Sequence, residues 1–577
     1  MMLAISGFSV NSKIHESYNS LVYRGIRQQD NRPVVLKILK SAYPTPELLS
    51  RYKQEFEITH KLQLAGIIKS YSLEKYQNTL AIAFEDFGGE SLKILMDKRR
   101  FTIEEFLKIA IKISAALGEI HGANIIHKDI NTSNIVFNPA SEELKIIDFG
   151  ISSVLSKESP IICNPNILEG TLAYISPEQT GRMNRLVDYR TDFYSLGVTF
   201  YELLTQQLPF QTSDAMELVY FHIAKQAIAP EKINQTIPKK LGELIIKLLS
   251  KNADDRYKSA YGIEKDLESI LKNLSDKINI NNAVLGRFDV YDKLHISQKL
   301  YGRESEIQTL ISVYNRVADS LDINATKIDN SQSKSEMVLV SGYSGIGKTA
   351  LVREIYQPIT KSRGYFISGK FDQLQRHIPY SSLIQALRSL IQQLLTESSE
   401  TIASWREKIL AVVGQQGKII IDVINEVELI IGSQPDVVIL ESTESQNRFN
   451  ILFYNFISVF TTSKQPLVIF LDDLQWADSA SLKLIKQLMA NTENGLLLIV
   501  AYRDSEVNAA HPLMLTIDEI KQTGTIVNHI YLTPLDLNNT SQLIADTFNC
   551  TTQKAKPLNQ SQIAALQIVF CANKKMN

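Results

Sequence analysis

Residues 337–356 read MVLVSGYSGIGKTALVREIY, an apolar run, then glycines at 342, 345 and 347, then Lys348, Thr349 and a helical run. Three glycines in six positions let the backbone take positive φ and wrap closely around an anion, and a helix that begins at the last of them aims free N–H groups into the loop. A strand–loop–helix of this kind holds phosphates. Lys348 adds charge and Thr349 a hydroxyl for a magnesium ion. The strand must then belong to a parallel sheet with helices on both faces. PLVIFLDD, GLLLIVAYR and IVNHIYL, with helical runs between them, supply further strands. The first ends in Asp472 and Asp473, which suits a metal-contacting carboxylate followed by one that polarises water. The second brings Arg503 to the same sheet edge, where it can sense a γ-phosphate.

A chain of 577 residues is too long for one core, so further compact units are expected. From about residue 20 to 90, SLVYRG, PVVLKIL and TLAIAFEDF surround the helical stretch PELLSRYKQEFEITHKLQL, which predicts a small sheet with one helix. Beyond 101 the pattern turns helical: Ile103, Phe106, Ala110, Ile113, Leu117 and Ile120 form one buried stripe. The segment 276–299 breaks the regularity and reads as a connector whose Phe and Tyr dock on a neighbour. A second connector, 322–336, is polar and expected to be mobile.

The first half carries its own chemistry. Transfer of a γ-phosphoryl group needs positioned magnesium, a cation on the phosphates and a carboxylate that orients the attacking hydroxyl. Lys37 closes the strand VVLK, and Glu55, with Glu57 as the nearby alternative, lies on the following helix where it can pair with that lysine. HKDINTSN (127–134) offers Asp129 as base. SNIVFNPASEELKIIDFG reads as two strands joined by a turn, which brings Asn134 and Asp148 together as oxygen ligands for Mg²⁺.

A net charge of −1, with 44% hydrophobic and 21% charged residues, gives no general attraction to nucleic acid or anionic membrane. Cys163, Cys550 and Cys571 are scattered and lack metal-ligand spacing, as in a reducing compartment. With neither a basic amino-terminal flank before a long apolar stretch nor a run of bilayer length, a cytoplasmic, soluble protein without a membrane span is expected.

VLK with Lys37, HKDINTSN, DFG at 148–150, GTLAYISPE at 170–178, DFYSLG at 192–197 and DDRY at 254–257 occur in the order of a eukaryotic-type serine/threonine protein kinase, which residues 10–272 resemble. The resemblance implies a bilobal α+β fold, with a small lobe over 1–88, a large lobe over 89–275 and a linker over 276–299. It implies that ATP and Mg²⁺ are used, with Asp129 as catalytic base and Asn134 and Asp148 on the metal. Lys37, Glu55, Val22, Glu85 and Phe87 would form the ATP site, and Glu178 would pair with Arg256 to brace the large lobe. GT at 170–171 is similar to the substrate-side loop of Ser/Thr-specific kinases, so the expected partner is a protein phosphorylated on Ser or Thr.

Several positions depart from that family. His15, Ser17 and Ser20 stand where a glycine-rich loop has its three glycines, which should stiffen or lift the cover of the phosphates. Asn131 replaces a lysine; it can donate a hydrogen bond to the transferred phosphate but brings no charge. Lys128 replaces the arginine that gathers a phosphorylated activation loop, so such control is not expected, although Ser152, Ser153, Ser156 and Ser159 are available. His127 reads as a structural histidine. Two readings stay open: a working kinase, or a pseudokinase scaffold fused to a nucleotide-switch ATPase.

From YGRESEI at 301 onward, with GKFDQLQRHIPYSSLIQAL and RFNILFYNF, the chain resembles the AAA-like signal-transduction ATPases with numerous domains. This implies a P-loop NTPase α/β domain over 300–577. Its site would be Gly342, Gly345, Gly347, Lys348 and Thr349, with Asp472 on the metal and Asp473 and Arg503 in hydrolysis. The order kinase then ATPase is similar to the front of bacterial multi-sensor signal-transduction kinases, which suggests sensor or histidine-kinase partners. The absence of a complete helical lid after the sheet suggests a truncated or naturally shortened member.

Overall fold

The computed structural model describes the chain apart from residues 1–4, 18, 42, 63, 155–170, 182–186, 213, 277–283, 291–298, 320–334, 362–363, 374–378, 396–398, 439–441, 462–465, 492–494, 549–550 and 556–577. Ser156, Ser159 and all three cysteines lie outside the described residues. The chain divides, in the main between His295 and Ile296, into two compact units.

The first unit opens with a five-stranded antiparallel sheet of strands β1 (Phe8–Glu16), β2 (Ser20–Arg27), β3 (Arg32–Leu39), β4 (Ser70–Tyr76) and β5 (Thr79–Glu85), in the order β1-β2-β3-β5-β4. Alternation along β3 places Val34, Leu36 and Ile38 in the core of one face with Ala81 and Ala83 of β5, and turns Lys37 to the other. Helix α1 (Pro46–Lys61) starts where Thr45 accepts the Leu48 N–H and a proline fixes the first turn. Its Tyr52 packs with Ile68, Ile82 and Phe84. Register pairs Val22 with Lys37, so both stand where the sheet faces its cleft.

The rest of this unit is mainly helical. The helix Ile103–Gly122 is opened by a capping box: Thr102 accepts the Glu105 N–H at 3.2 Å while the Glu105 carboxylate accepts the Thr102 N–H at 2.9 Å. Phe106, Ala110, Ile113, Leu117 and Ile120 of the predicted stripe are buried, and Ile103 packs at its margin. The helix Arg190–Thr205, which contains the DFYSLG stretch, is buried from Arg190 to Leu204 and is the pillar against which the surrounding loops are tied. Strands Ile135–Asn138 and Glu143–Ile146 form the expected hairpin, with Ile135 opposite Ile146.

The connector attaches through polar groups. Asp289, 8% exposed, accepts the backbone N–H of Lys258 at 2.7 Å and of Ser259 at 3.2 Å, and faces Lys247 at 3.2 Å. It thus places a carboxylate at the start of the helix Ala260–Ser275, where free N–H groups favour negative charge. The expected aromatic docking does not occur at Phe288, which is half exposed, and Tyr291 lies outside the described residues. Gly262 allows the close approach, since a Cβ there would meet Asp289 Oδ1 at 2.7 Å.

The second unit is built on a five-stranded parallel sheet in the order Tyr365–Lys370, Leu467–Asp472, Leu496–Tyr502, Glu336–Ser341, Ile526–Tyr531. Strand alternation divides the apolar residues between two cores. Met337, Leu339, Ile469 and Leu498 face one, and Val338, Val340, Phe470 and Ile499 the other. Helices between residues 381 and 461 enlarge the first core. Glu336, read as the end of a polar connector, instead opens a strand, buried and bound by Arg316 at 2.7 and 2.8 Å; the connector before Ser335 lies outside the described residues, as does any lid beyond 555. No helix among the described residues is long and apolar enough to cross a membrane.

Candidate nucleotide sites of the two units

In the first unit Lys37 is the hub. Its Nζ lies 2.8 Å from both Glu55 carboxylate oxygens and 3.0 Å from Asp148 Oδ1, so one cation joins strand β3, helix α1 and the loop after the hairpin. Glu55 is buried, whereas Glu57 is exposed and faces Lys61, which decides between the two candidates. Burial pushes the Glu55 carboxyl up to about 7 even with Lys37 against it. Asp148 has φ 67°, and the next residue, Phe149, is fully buried with its ring 4.8 Å from that of His127.

The catalytic-loop candidates are held by a network. Asn134 Nδ2 donates to Asp129 O and to Asp129 Oδ2, both at 2.9 Å, and Thr171 donates its N–H to Asp129 Oδ1 at 2.9 Å. The His127 ring bridges Ile147 O (3.1 Å) and the Asp129 N–H (3.3 Å), as a structural histidine would. Asn131 departs from expectation. It is 3% exposed; its Oδ1 accepts the N–H groups of Ser133 and Asn134 at 2.9 and 3.1 Å, and its Nδ2 donates to Asp129 O at 3.1 Å. A short amide cannot serve these loop groups and also extend to a phosphate, as the longer side chain of a lysine could.

Two residues quoted only as parts of motifs turn out to position Asp129, the candidate base. Asp192, fully buried, accepts the backbone N–H groups of His127 (2.9 Å) and Lys128 (2.7 Å) and the His121 ring at 2.9 Å. Thr171 ties the substrate-side loop to Asp129. A buried aspartate inside an apolar helix was the available signal for the first. Glu178 and Arg256 form a buried bidentate pair at 2.6 and 2.8 Å.

Around the cleft, the hairpin over His15–Ser20 closes on itself. His15 pairs with Val22 inside the strands, Ser17 and Ser20 join through their hydroxyls at 2.8 Å, and Glu16 pairs with Lys13 at 2.8 Å and with Lys40. Glu85 binds Lys145 at 2.7 Å and the Lys69 N–H at 2.8 Å, while Phe87 O accepts Asn138 Nδ2 at 2.7 Å. The side chains of Glu16, Ser17, Ser20 and Glu85 thus have partners within the protein, as does the main-chain oxygen of Phe87.

In the second unit Gly342, Gly345 and Gly347 have φ of 149°, 82° and 103°, the left-handed range that a side chain resists. Lys348 Nζ donates to Gly342 O at 2.8 Å and Tyr343 O at 3.0 Å, folded onto its own loop, and burial holds its pKa below the ordinary lysine value. Thr349 Oγ1 donates to Asp472 Oδ2 at 2.9 Å. Burial, then the neighbouring Asp473, holds the Asp472 carboxyl above the ordinary range. Asp473 and Arg503 meet at 3.1 Å. The hydroxyl and carboxylate pair Thr349–Asp472 is a hard-oxygen set suited to Mg²⁺; in the first unit Asn134 turns its amide nitrogen to Asp129, and Asp148 one oxygen to Lys37.

Residues 8–267 match the protein kinase domain family and residues 299–500 the AAA ATPase domain family. The chain is similar to a hybrid signal transduction histidine kinase of Dictyostelium discoideum, 34% identical over 473 residues, 67% of this chain and 13% of that protein. It is also similar to a probable serine/threonine-protein kinase of Clostridium perfringens, 34% identical over 274 residues, 47% of this chain and 39% of the other. A third relative, the serine/threonine-protein kinase PknL of Mycobacterium tuberculosis, is 29% identical over 272 residues, 47% of this chain and 67% of that protein. The chain therefore spans less than half the length of the first two. With residues 8–267 and 299–500 matched in that order, the chain carries a protein kinase domain followed by an AAA ATPase domain.

Proposed function

We propose that the chain is an ATP-dependent protein serine/threonine kinase whose ATPase domain regulates or assembles it through nucleotide state. The observation that carries this reading is Lys37 held between Glu55 and Asp148, an arrangement that fixes a cation where ATP phosphates would lie. Asn134 and Asp148 would hold Mg²⁺, which neutralises phosphate charge when bound. The substrate serine or threonine oxygen bonds to the γ-phosphorus as the bond to the β–γ bridging oxygen breaks, and Asp129 accepts the hydroxyl proton. With Asn134 Nδ2 on one oxygen and the Thr171 N–H on the other, the Asp129 carboxylate retains acceptor capacity for that hydroxyl. Glu178 and Arg256 brace the lobe.

In the second domain Lys348 would turn from its own loop carbonyls to the phosphates, Thr349 and Asp472 would hold Mg²⁺, and Asp473 and Arg503 would act on water and γ-phosphate. The kinase relatives support a protein substrate, and the histidine-kinase relative supports sensor or histidine-kinase partners in signalling. The near-neutral charge supports a protein with no nucleic-acid partner, and the scattered cysteines support a reducing, cytoplasmic setting.

The test is phosphorylation of serine or threonine with ATP and magnesium, mapped by mass spectrometry. Asp129→Ala should abolish it and Lys348→Ala should leave part of it. The opposite pattern would exchange the roles of the two sites. The scaffold alternative has in its favour the serine-tipped hairpin and the inward-turned Asn131, and phosphotransfer by the wild-type chain that Asp129→Ala removes would exclude it.

A further inference from the structure

Directly after the two aspartates the chain reads LQW, a single 3-10 turn over Leu474–Trp476. Asp473 has φ 52°, and this left-handed step turns the chain back so that Gln475, 1% exposed, lies beneath the Asp473 carboxylate. Gln475 Nε2 donates to Asp473 Oδ1 at 3.0 Å, and Gln475 Oε1 accepts the backbone N–H of Arg503 at 3.2 Å. The two contacts fix the amide orientation, because a flipped amide would face oxygen to oxygen and N–H to N–H.

One glutamine thus joins the end of the strand Leu467–Asp472 to the end of the strand Leu496–Tyr502. The Arg503 side chain is held too: Nε lies 3.1 Å from Asp473 Oδ1, Nη1 2.8 Å from Glu506, and the guanidinium 4.6 Å from the centre of the Trp476 ring. In this arrangement the carboxylate read as acting on water already accepts Gln475 and Arg503, with Lys370 3.5 Å from its other oxygen. A phosphate that drew Arg503 away would leave Gln475 as the group that keeps the carboxylate aimed.

We infer that Gln475 is a positioning residue for ATP hydrolysis in the second domain, orienting Asp473 and registering Arg503 against it. This rests on the proposed reading of that site. In the step concerned, the water oxygen bonds to the γ-phosphorus, the bond to the bridging oxygen of ADP breaks, and the water proton passes to Asp473.

The experiment uses the full chain with Asp129→Ala as background, so that only the second site turns over ATP. Gln475→Met keeps the volume and removes both hydrogen bonds; Gln475→Glu keeps the shape and sets a carboxylate against a carboxylate. The expected result is a kcat lowered about 10- to 100-fold by either change, with KM within about twofold, as for loss of an orienting hydrogen bond.

A second readout does not depend on turnover. The chain has two tryptophans, so in a Trp405→Phe background Trp476 reports alone, and a non-hydrolysable ATP analogue should change its fluorescence as Arg503 leaves the ring. In Gln475→Met that change should fall to less than about half, because Arg503 is no longer registered on Asp473. Wild-type kcat in both Gln475 variants, with a wild-type fluorescence response in Gln475→Met, would overturn the inference. Hydrolysis undiminished by Lys348→Ala would overturn instead the reading of the site on which it rests. If Gln475→Met fails to fold, the kcat of Gln475→Glu decides alone.

Discussion

Asn131 Nδ2 lies 3.4 Å from Thr171 Oγ1 and 3.1 Å from Asp129 O, so the residue that replaces a lysine acts as a tie between the catalytic loop and the substrate-side loop. Asn131→Ala is expected to lower the phosphotransfer kcat roughly 10-fold and the stability of the first unit by about 1–2 kcal/mol, because buried N–H partners lose their acceptor. Steady-state kinetics and denaturant unfolding check it. Unchanged kcat with lowered stability would confine Asn131 to the fold.

Glu55→Gln keeps the volume at the buried end of the Lys37 contact but removes the negative charge. The lysine is then free to swing toward Asp148 alone. We expect kcat/KM for ATP to fall by roughly 10- to 100-fold, the size of one to two charge-assisted hydrogen bonds lost from a pre-organised site. Glu57→Gln, on the exposed side of the same helix, should leave it within about twofold.

Breaking the Glu178–Arg256 pair from one side leaves a buried charge uncompensated. Arg256→Met should destabilise the first unit by about 3–5 kcal/mol, and the double change with Glu178→Gln by less, although two charges are then gone. Thermal unfolding of the single and double variants provides the comparison.

His222 is buried against Tyr194 and Phe210, and burial, then Lys251, pushes its pKa down to about 3. The folded pKa lies below the unfolded value near 6.5, so stability is full above about pH 6.5 and is lost as pH falls from there toward 3, by up to about 1.4 kcal/mol per pH unit. The melting temperature of the first unit in His222→Gln should fall less steeply between pH 6.5 and 4 than that of the wild type. Parallel curves would contradict the buried neutral ring.

Gly262→Ala would set a Cβ 2.7 Å from Asp289 Oδ1 and 2.8 Å from its Cα, backbone that cannot yield as a side-chain tip can. Release of the connector should follow, seen as faster amide exchange at Lys258 and Ser259. Asp289→Asn, which keeps the shape and the acceptor oxygen, should cost under about 1 kcal/mol.

Much of both sites was legible because phosphate chemistry restricts the residue types. A glycine loop, a lysine and paired oxygens can be read where they stand, and α1 identified Glu55 to within one helical turn. Directions were less legible. Nothing in HKDINTSN says that Asn131 turns inward; that depends on which loop N–H groups lack partners once Asp192 has taken those of His127 and Lys128. Gln475 was hidden for a similar reason, since its role follows from a left-handed step at Asp473 that non-glycine residues seldom take. Sheet order was hidden as well. The strand carrying Arg503 lies between that of the glycine loop and that of Asp472, an arrangement set by crossovers rather than by sequence neighbours.

The serine-tipped hairpin has a thermodynamic consequence. A glycine-rich cover gains its order from the triphosphate it closes upon, so each binding event carries a cost in chain entropy. Here Ser17 and Ser20 already satisfy each other and Glu16 already has two cations, so part of that ordering cost is met within the hairpin itself. Calorimetry should find nucleotide association with a small entropic penalty and a modest enthalpy, the signature of a guest entering a furnished room.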